Sequence, residues 1–412
     1  MHDFNVIIAL LGGVILVLGL ASQWLEASPF PPTLLALGVG VAVGPHALNW
    51  FDPAALGEQS RILEGAARLT LGIGLFGVAL RIPRDYPCRH WRDMLVLTGL
   101  GMPMMWAISA ALVYLVLDVP FWLAVLIGSV VTPTDPVAAT PIVTGNVAER
   151  NLPDRLRHAI SFDSGANDGL AYLFVFLPFL MLTKPPGEAM SHWLTDTLLY
   201  DVLVATLVGA ALCAAAGGLL RAAERWKAVQ KDWRLVYTVA LALLAVAGGR
   251  LIGSDEVLVA FAAGVAFDQV ASPGERHEER RGQEAVNRFF ATPIFVLLGA
   301  ALPWAGWREL GWAGAGLAVA VLALRRIPTL LCLRPLMTGV RSVPDALFVG
   351  WFGPVAVAAI YYVSLMEHKL HNPLIWHVTS LVIATSVVLH GLTGAPLTAL
   401  FGRTAGLRAG QD

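Results

Sequence analysis

Long apolar runs, each bounded by proline, glycine or charged residues, dominate the sequence. A helix that crosses a bilayer needs ~20 mostly apolar residues, and inside lipid its backbone groups must be satisfied within the segment itself. Thirteen runs have about this character, and they fall roughly at 4–24, 30–48, 62–81, 94–117, 119–143, 156–182, 197–219, 234–252, 255–270, 285–302, 311–333, 343–365 and 375–400. The sequence therefore predicts an all-α polytopic membrane protein with about 13 transmembrane helices.

Composition excludes several other classes of protein. Hydrophobic residues make up 57% of the chain and charged residues 14%. Soluble domains carry about 25% charged residues, so neither a soluble enzyme nor a disordered chain is expected. The net charge of −1 lacks the basic excess of a nucleic-acid-binding protein. The cysteines at 88, 213 and 332 are far apart and lack metal-ligand spacing. We expect no nucleic-acid partner and no cofactor.

The distribution of basic residues predicts the orientation of the chain. When the connections are numbered after each run, the odd-numbered connections and the C-terminal tail carry 20 lysines and arginines, and the even-numbered connections carry five. Basic residues accumulate in the cytoplasmic connections of membrane proteins. We therefore expect a multi-pass protein of the plasma (inner) membrane, with the N-terminus outside and the C-terminus in the cytoplasm. The longest connections have about fifteen residues, so no soluble regulatory domain is expected.

Three acidic residues, Asp135, Asp163 and Asp168, lie well inside apolar runs. An ionisable side chain at this depth costs ~2.5–3.5 kcal/mol on insertion scales and usually marks a functional site. These three carboxyl groups are therefore the first candidates for a functional site.

The fifth run cannot form one continuous helix. Pro133 and Pro136 each remove a backbone donor and strain the helix. A break at membrane depth is tolerated where it lines a cavity or meets a ligand, and many transporters build ion sites at such breaks. Here the break carries the hydroxyl groups of Thr132 and Thr134 and the carboxyl group of Asp135, which are hard oxygen ligands suited to an alkali cation. The alternative is a kinked structural helix whose aspartate is satisfied by the protein.

The sixth run presents a second polar set, Phe162-Asp-Ser-Gly-Ala-Asn-Asp-Gly169. At ~100° per residue, Ser164 and Asp168 share one helix face, and Asp163 and Asn167 share a neighbouring face. Asp163 and Asp168 lie ~140° apart around the helix, so they should not have the same partner. We expect one of them to bind the ion and the other to be held by a fixed cation. The alternative is a glycine-rich packing face with incidental polar residues.

Charged residues in other runs predict ion pairs. Pairing Asp163 with Arg325 or Arg326 of the eleventh run resolves both charges, because an unpaired buried acid is very costly. Adjacent arginines point ~100° apart, so we expect the second arginine to extend to the cytoplasmic interface. Glu64 and Arg68 are spaced i, i+4, which favours a local pair.

A second break is predicted in the twelfth run, at Gly353 and Pro354. The fifth and twelfth runs cross the membrane in opposite directions, as an inverted repeat requires. We therefore predict two broken helices that cross each other, one at Pro133 and Pro136 and the other at Gly353-Pro354.

Three features together resemble the bacterial cation/proton antiporters of the NhaP type: the tripeptide Thr134-Asp135-Pro136, the pair Asn167-Asp168 and the thirteen runs. In that family the two aspartates bind Na⁺ or protons, the serine four residues before the second aspartate is a further ligand, and the acid five residues before it pairs with an arginine of the eleventh span. The resemblance therefore implies a site for Na⁺ or K⁺ at the two aspartates. The residues assigned to the ion are Asp135, Asp168, Ser164, Thr134 and Asn167, and those assigned to the structural pair are Asp163, Arg326 and Arg325.

The resemblance also implies an assembly, a homodimer in which a transport core moves against a scaffold that carries the dimer contact. We call residues 94–183 and 311–400 the core and residues 1–93 and 197–302 the scaffold. Two departures stand out. The acid at Asp163 is usually Glu, which is longer by one methylene. Many relatives carry Gly-Pro-Arg-Gly at the second break, where this chain has Val355, so a positive charge is expected to be missing there.

The sequence thus predicts a secondary active transporter that exchanges a monovalent cation for H⁺ by alternating access at a two-aspartate site. Na⁺ is the favoured ion, with K⁺ and Li⁺ as alternatives. Because Asn167 cannot ionise, we expect electroneutral exchange. Two alternatives remain: a cation channel, which needs a polar stripe through several spans, and a transporter of another solute such as a carboxylic acid, which needs positive charge at the break. An enzyme is not expected, because no His or Cys cluster lies at membrane depth.

Overall fold

The computed structural model describes residues 2–28, 30–230, 233–270 and 276–404, and every regular element among them is helical. The helices of the first half are α1 (His2–Leu20), α2 (Ser22–Ala27), α3 (Pro32–Val43), α4 (Gln59–Arg81), α5 (Tyr86–Arg89), α6 (Trp91–Leu95), α7 (Met102–Leu117), α8 (Phe121–Val130), α9 (Pro136–Val143), α10 (Gly145–Asn151) and α11 (Asp154–Thr183). The helices of the second half are α12 (Pro186–His192), α13 (Ala205–Arg225), α14 (Trp233–Leu251), α15 (Glu256–Val270), α16 (Arg276–Ala300), α17 (Trp304–Leu324), α18 (Ile327–Leu333), α19 (Val343–Trp351), α20 (Val357–Leu370) and α21 (Pro373–Thr404). Short 3₁₀ turns and longer π-helical segments complete the helical structure, at Pro53–Leu56, Val96–Gly101, Trp193–Val204 and Arg334–Leu336.

Each of the thirteen predicted runs coincides with one helix or with consecutive helices, so the predicted all-α class is confirmed. Seven helical segments of the described chain are long and apolar enough to cross a membrane, namely Gln59–Arg81, Trp91–Leu117, Asp154–Thr183, Pro186–Arg225, Trp233–Leu251, Trp304–Leu336 and Pro373–Thr404. Four of the other six runs fall short for identifiable reasons. The helix α15 has 15 residues, α16 begins with a charged segment, and the two runs with predicted breaks are divided into half-helices. The end of the predicted cytoplasmic tail, 405–412, lies outside the described residues.

Glycines allow two pairs of helices to approach at backbone distance. A Cβ at Gly128 of α8 would lie 2.5 Å from the backbone nitrogen of Ala110 in α7. A Cβ at Gly169 of α11 would lie 3.0 Å from the Cα of Leu258 in α15. Close packing over small residues favours helix association in lipid, where the hydrophobic effect contributes little.

Helices pack within the predicted scaffold, within the predicted core and between the two. In the scaffold, α3 packs against α16, α4 packs against α15 and α16, and α13 packs against α15. In the core, α7 packs against α8 and α17, α18 packs against α19, and α21 packs against α17 and α20. The scaffold helices α4 and α15 contact the core helices α20 and α11. The predicted core and scaffold therefore meet along α4 and α15.

Both predicted breaks are present, and they cross. The backbone is non-helical between α8 and α9 and again between α19 and α20. The backbone N–H of Asp135 in the first break donates to the carbonyl oxygen of Pro354 in the second, at 2.8 Å. The crossing thus joins two segments that are more than 200 residues apart in the chain.

The half-helices that leave the crossing run in opposite directions. Thr140 of α9 accepts a hydrogen bond from Arg81 at the C-terminal end of α4, at 3.3 Å. His368 of α20 lies 2.8 Å from Glu58 at the N-terminal end of α4. We call these ends of the molecule the Arg81 end and the Glu58 end. The opposed directions are those expected of an inverted repeat.

Candidate functional site

The carboxylate of Asp135 lies where the N-termini of α9 and α20 meet. Its Oδ1 accepts hydrogen bonds from the backbone N–H groups of Val137 (2.7 Å) and Ala138 (2.8 Å). Its Oδ2 accepts from Val357 and from Ala358, the latter at 3.2 Å. Helix N-termini present unpaired N–H groups and partial positive charge. The fully buried side chain of Asp135 therefore caps two half-helices at once.

The C-terminal ends of the other two half-helices face Arg325. Its guanidinium donates to the carbonyl oxygens of Val131, Thr132 and Pro133. Its Nη2 donates to the carbonyl oxygen of Gly353 at 2.5 Å. Arg325 is 1% exposed, so the expectation that the second arginine extends to the interface is wrong. The reason is that the breaks leave carbonyl groups without helical partners, and a guanidinium offers five donors for them.

The same side chain corrects the expectation that the second break lacks positive charge. Val355 is fully buried and uncharged, but the guanidinium of Arg325 reaches Gly353 from the connection between α17 and α18. The positive charge that the resemblance implies at residue 355 therefore comes from a different segment of the chain.

Arg326 is the arginine that contacts Asp163. Its Nη2 lies 2.5 Å from Oδ2 of Asp163, and both side chains are 1% exposed. Its Nε donates to the carbonyl oxygen of Val349 at 2.9 Å. One side chain therefore ties α11 to α19, and the shorter aspartate still reaches its partner.

Three of the polar side chains expected to bind the ion contact one another. The backbone N–H of Thr134 donates to Oδ1 of Asn167 at 3.1 Å, and Nδ2 of Asn167 donates back to Oγ1 of Thr134 at 2.8 Å. The hydroxyl of Thr134 donates to Oγ of Ser164 at 3.4 Å. This reciprocal contact fixes the first break against α11 and aligns it with the face of α11 that carries Asp168.

Asp168 differs from the other acids of the site. Its side chain is fully buried, and neither carboxylate oxygen has a hydrogen-bond partner in the part of the chain that the structure describes. Its backbone carbonyl accepts a hydrogen bond from the hydroxyl of Tyr362 at 2.7 Å. A buried carboxylate without a partner is very costly as a free anion. Chemically, such a group takes up a proton or binds a cation.

Ser386 and His390 of α21 were not singled out by the sequence. The backbone N–H of Val355 donates to Oγ of Ser386 at 2.8 Å. Nδ1 of His390 lies 3.0 Å from the same Oγ, and its Nε2 lies 2.9 Å from the carbonyl oxygen of Trp351. These two residues therefore hold the second break in place. The i, i+4 spacing of a serine and a histidine was the available signal, and it is too common to be specific.

A cavity of about 630 Å³ lies between scaffold and core at the Arg81 end. Its lining includes Arg81 and Glu284 of the scaffold and reaches Pro136 and Pro354 at the two breaks. The crossing is therefore approached by open space from this end of the molecule.

The expected local pair between Glu64 and Arg68 is wrong. Oε1 of Glu64 lies 3.3 Å from Nη2 of Arg250 in α14, and Nη1 of Arg250 lies 3.3 Å from Oε1 of Glu256 in α15. An arginine between two carboxylates is attracted to both, whereas helical spacing alone gives ~0.2–0.5 kcal/mol.

The chain is similar to known proteins over most of its length. A family model described as "Sodium/hydrogen exchanger, transmembrane" matches residues 6–400. The sequence is 32% identical over 390 residues to Na(+)/H(+) antiporter 2 of Zygosaccharomyces rouxii, which covers 87% of this chain and 48% of that protein. It is 31% identical over 391 residues to the Na(+)/H(+) antiporter of Saccharomyces cerevisiae, which covers 87% of this chain and 40% of that protein. The chain spans about half the length of these curated relatives.

The fold is similar to that of a solved structure, the sodium proton antiporter MjNhaP1 from Methanocaldococcus jannaschii. The TM-score is 0.74 at 19% sequence identity, and the match covers 98% of both chains. The predicted antiporter fold with two broken, crossing helices is thereby confirmed. Since the family model covers nearly the whole sequence, the chain belongs to the sodium/hydrogen exchanger family.

Proposed function

We propose that this protein is a secondary active transporter that exchanges a monovalent cation for protons and catalyses no chemical reaction. Na⁺ is the favoured ion, and K⁺ and Li⁺ are the alternatives. The observation that carries the proposal is the carboxylate of Asp168, which is fully buried beside the crossing and lacks a hydrogen-bond partner among the described residues. The yeast relatives are both named as Na(+)/H(+) antiporters, which supports the same function.

The ion site is proposed to contain Asp168, Asp135, Ser164, Thr134 and Asn167. Asp168 supplies charged oxygens that no group of the described residues occupies. Ser164 and Thr134 supply neutral oxygens on the adjoining face. Asp135 adds negative charge from the crossing while its hydrogen bonds keep it in place, and Asn167 positions Thr134. Asp163 and Arg326 neutralise each other and are proposed as the structural pair.

Exchange follows from competition at one carboxylate. A proton and a cation each neutralise Asp168, and both cannot do so together. Once a proton or a cation is bound, the buried site can change from facing one side of the membrane to facing the other. The empty anion is the costly state, which suppresses movement without a ligand and thereby couples the two fluxes.

Alternating access is proposed as a movement of the core against the scaffold. The cavity at the Arg81 end reaches the crossing, so we assign this conformation as open to that side. The basic connections lie at the same end in our predicted topology, which makes it the cytoplasmic side and the Glu58 end extracellular. The proposed location is the plasma membrane, with the N-terminus outside, the C-terminus in the cytoplasm and two copies associated through the scaffold.

One proton is proposed to move per cation. Asn167 carries no charge, and Arg326 keeps Asp163 paired, so Asp168 is the group that changes ligand. Moving one net charge against 100 mV costs ~2.3 kcal/mol, and an electroneutral cycle avoids this cost. Sodium-driven proton flux in liposomes clamped with valinomycin at different potassium gradients should therefore not change with voltage. A systematic dependence on the imposed potential would contradict one-to-one exchange.

Reconstitution in liposomes that contain a pH-sensitive dye tests the function itself. Na⁺, K⁺ and Li⁺ are added in turn, and cation-driven proton movement without net conductance is the expected result. Ion-driven current without coupled proton movement would instead indicate a channel. No response to any of the three ions would refute the proposed substrate class.

A further inference from the structure

A second group of acidic side chains lies at the Glu58 end of the boundary between core and scaffold. Its members are Glu64 of α4, Asp201 of the π-helical segment, and Asp255 and Glu256 at the start of α15. Asp255 is 0% exposed and Glu256 is 2% exposed. Arg250 pairs with Glu64 and Glu256. Neither Asp201 nor Asp255 has an arginine or lysine partner within the described ranges. When they are ionised, these two carboxylates therefore have no fixed cation beside them among the described residues.

Only one of the two carboxylate oxygens of Asp255 accepts hydrogen bonds from the described residues. Its Oδ1 accepts hydrogen bonds from the backbone N–H groups of Val257 (3.0 Å) and Leu258 (3.3 Å), so it caps α15. Its Oδ2 is buried and has no hydrogen-bond partner among the residues that the structure describes. Capping needs a single oxygen acceptor, and asparagine supplies it as well as aspartate does. The second oxygen and the negative charge are therefore not explained by the cap.

Asp255 lies about one helical turn from the backbone of the ion site. Leu258, whose N–H binds Asp255, has its Cα 3.0 Å from the position that a Cβ would take at Gly169, the residue after Asp168. Three residues of helix span ~4.5 Å. The residues Asp255 and Asp168 thus lie on successive levels of the same α11–α15 contact.

Tyrosines connect the two levels across the boundary. The hydroxyl of Tyr361 in the core donates to Oε1 of Glu256 in the scaffold at 2.9 Å. The adjacent Tyr362 donates to the backbone carbonyl of Asp168 at 2.7 Å. The hydroxyl of Tyr172 in the core donates to Oδ2 of Asp201 in the scaffold at 3.1 Å. The contacts of Tyr361 and Tyr172 close this end of the boundary, and a movement of the core would have to break them.

We propose that Asp255, with Asp201 beside it, is a second binding position for the transported monovalent cation, between Asp168 and the extracellular side. The inference rests on the proposed function. The backbone N–H of Asp255 lies 3.4 Å from the carbonyl oxygen of Asp201, so the two acids are neighbours. Within the described residues there is no group of three or more His, Cys, Asp or Glu that would hold a metal ion. Two carboxylates are fewer ligands than a chelating metal site needs, which fits transient binding of a monovalent cation.

Asp255→Asn separates this role from helix capping, because asparagine retains the cap and loses the charge. Exchange is measured against sodium concentration in right-side-out vesicles and in everted vesicles. We expect the half-saturating sodium concentration to rise about 3- to 10-fold in right-side-out vesicles, as loss of one nearby charge predicts, and to stay unchanged in everted vesicles. The matched control is Asp52→Asn, an exposed aspartate near the Glu58 end whose Oδ1 also caps a helical turn. It should behave as the unmodified protein does.

The vesicle measurements distinguish a cation-binding role of Asp255 from a helix-capping role. Unchanged half-saturation in right-side-out vesicles would overturn the proposal and leave a helix cap, as would an equal rise in both kinds of vesicle. If Asp255→Asn lowers the yield of folded protein, Asp201→Asn, a change at a half-exposed residue, is measured in the same way. An unchanged half-saturating sodium concentration in that variant would count equally against the proposal. If the unmodified protein exchanges no sodium, potassium or lithium in either vesicle, the proposed function fails. If it exchanges normally and both variants match it, the second site alone fails.

Discussion

Two regions each place one aspartate at the site: the crossing of the broken helices and the continuous helix α11. They differ in the number of backbone hydrogen bonds that they give to the carboxylate. At the crossing, Asp135 accepts four backbone hydrogen bonds from two helix N-termini. On α11, the carboxylate of Asp168 accepts none from the described residues. Both side chains are fully buried, so burial does not distinguish them. The difference lies in the backbone, because a break exposes donors and a continuous helix hides them.

The variant Asp168→Asn should have the largest effect on transport. It removes the carboxylate proposed to alternate between proton and cation, so exchange should fall to the background of empty liposomes. Its stability should be unchanged or higher, because a neutral amide costs less to bury than an unpartnered carboxylate. The cation-driven response of the dye tests the predicted loss of exchange, and thermal unfolding in detergent tests the predicted stability. Residual exchange near the level of the unmodified protein would remove Asp168 from the ion site.

The variant Asp135→Asn should also lose exchange, but with a loss of stability that Asp168→Asn lacks. An asparagine oxygen can still cap one helix, whereas its amide nitrogen would face the N–H groups of the second. Leaving those donors unpaired costs ~1–3 kcal/mol, which a lowered midpoint of thermal unfolding would report. Equal unfolding midpoints for Asp135→Asn and Asp168→Asn would contradict the distinction drawn between the two acids.

The pair of Asp163 and Arg326 should affect stability more than ion affinity. Removing one partner leaves a buried charge and costs ~3–5 kcal/mol, so Asp163→Ala and Arg326→Ala should each lower yield and the unfolding midpoint. The double variant should lose less than the sum of the two single variants, since no unpaired charge remains. Additive losses would show that the ion pair does not couple the two residues. Arg325→Ala provides the comparison, because its partners are carbonyl groups and Asp163→Ala should not rescue it.

Local sequence features predicted the breaks and the polar face of α11, and they could not predict which groups meet there. Proline chemistry acts within a few residues, so Pro133 and Pro136 located the first break. The donors that reach Asp135 from α20 and the carbonyl groups that reach Arg325 come from segments about 200 residues away. The pairing of Glu64 was predicted wrongly for the same reason, since its partner Arg250 belongs to another helix. Spacing within one helix shows which residues share a face, and packing decides what that face meets.

The smallest expected effect belongs to Ser164→Ala, which tests whether the free face of α11 contributes a neutral oxygen. The hydroxyl of Ser164 is 3.4 Å from that of Thr134, which is long for a bond between hydroxyl groups, so its loss should change stability by less than ~0.5 kcal/mol. Losing one neutral ligand is worth ~0.5–1.5 kcal/mol, so the half-saturating sodium concentration should rise about 3- to 10-fold at unchanged maximal rate. Ser161→Ala, a buried serine on the same helix, is the matched control and should leave affinity unaltered. If Ser164→Ala has the same half-saturating sodium concentration as the unmodified protein, the neutral ligands of the ion come from the crossing and not from α11. The two regions would then differ only in the carboxylate that each supplies.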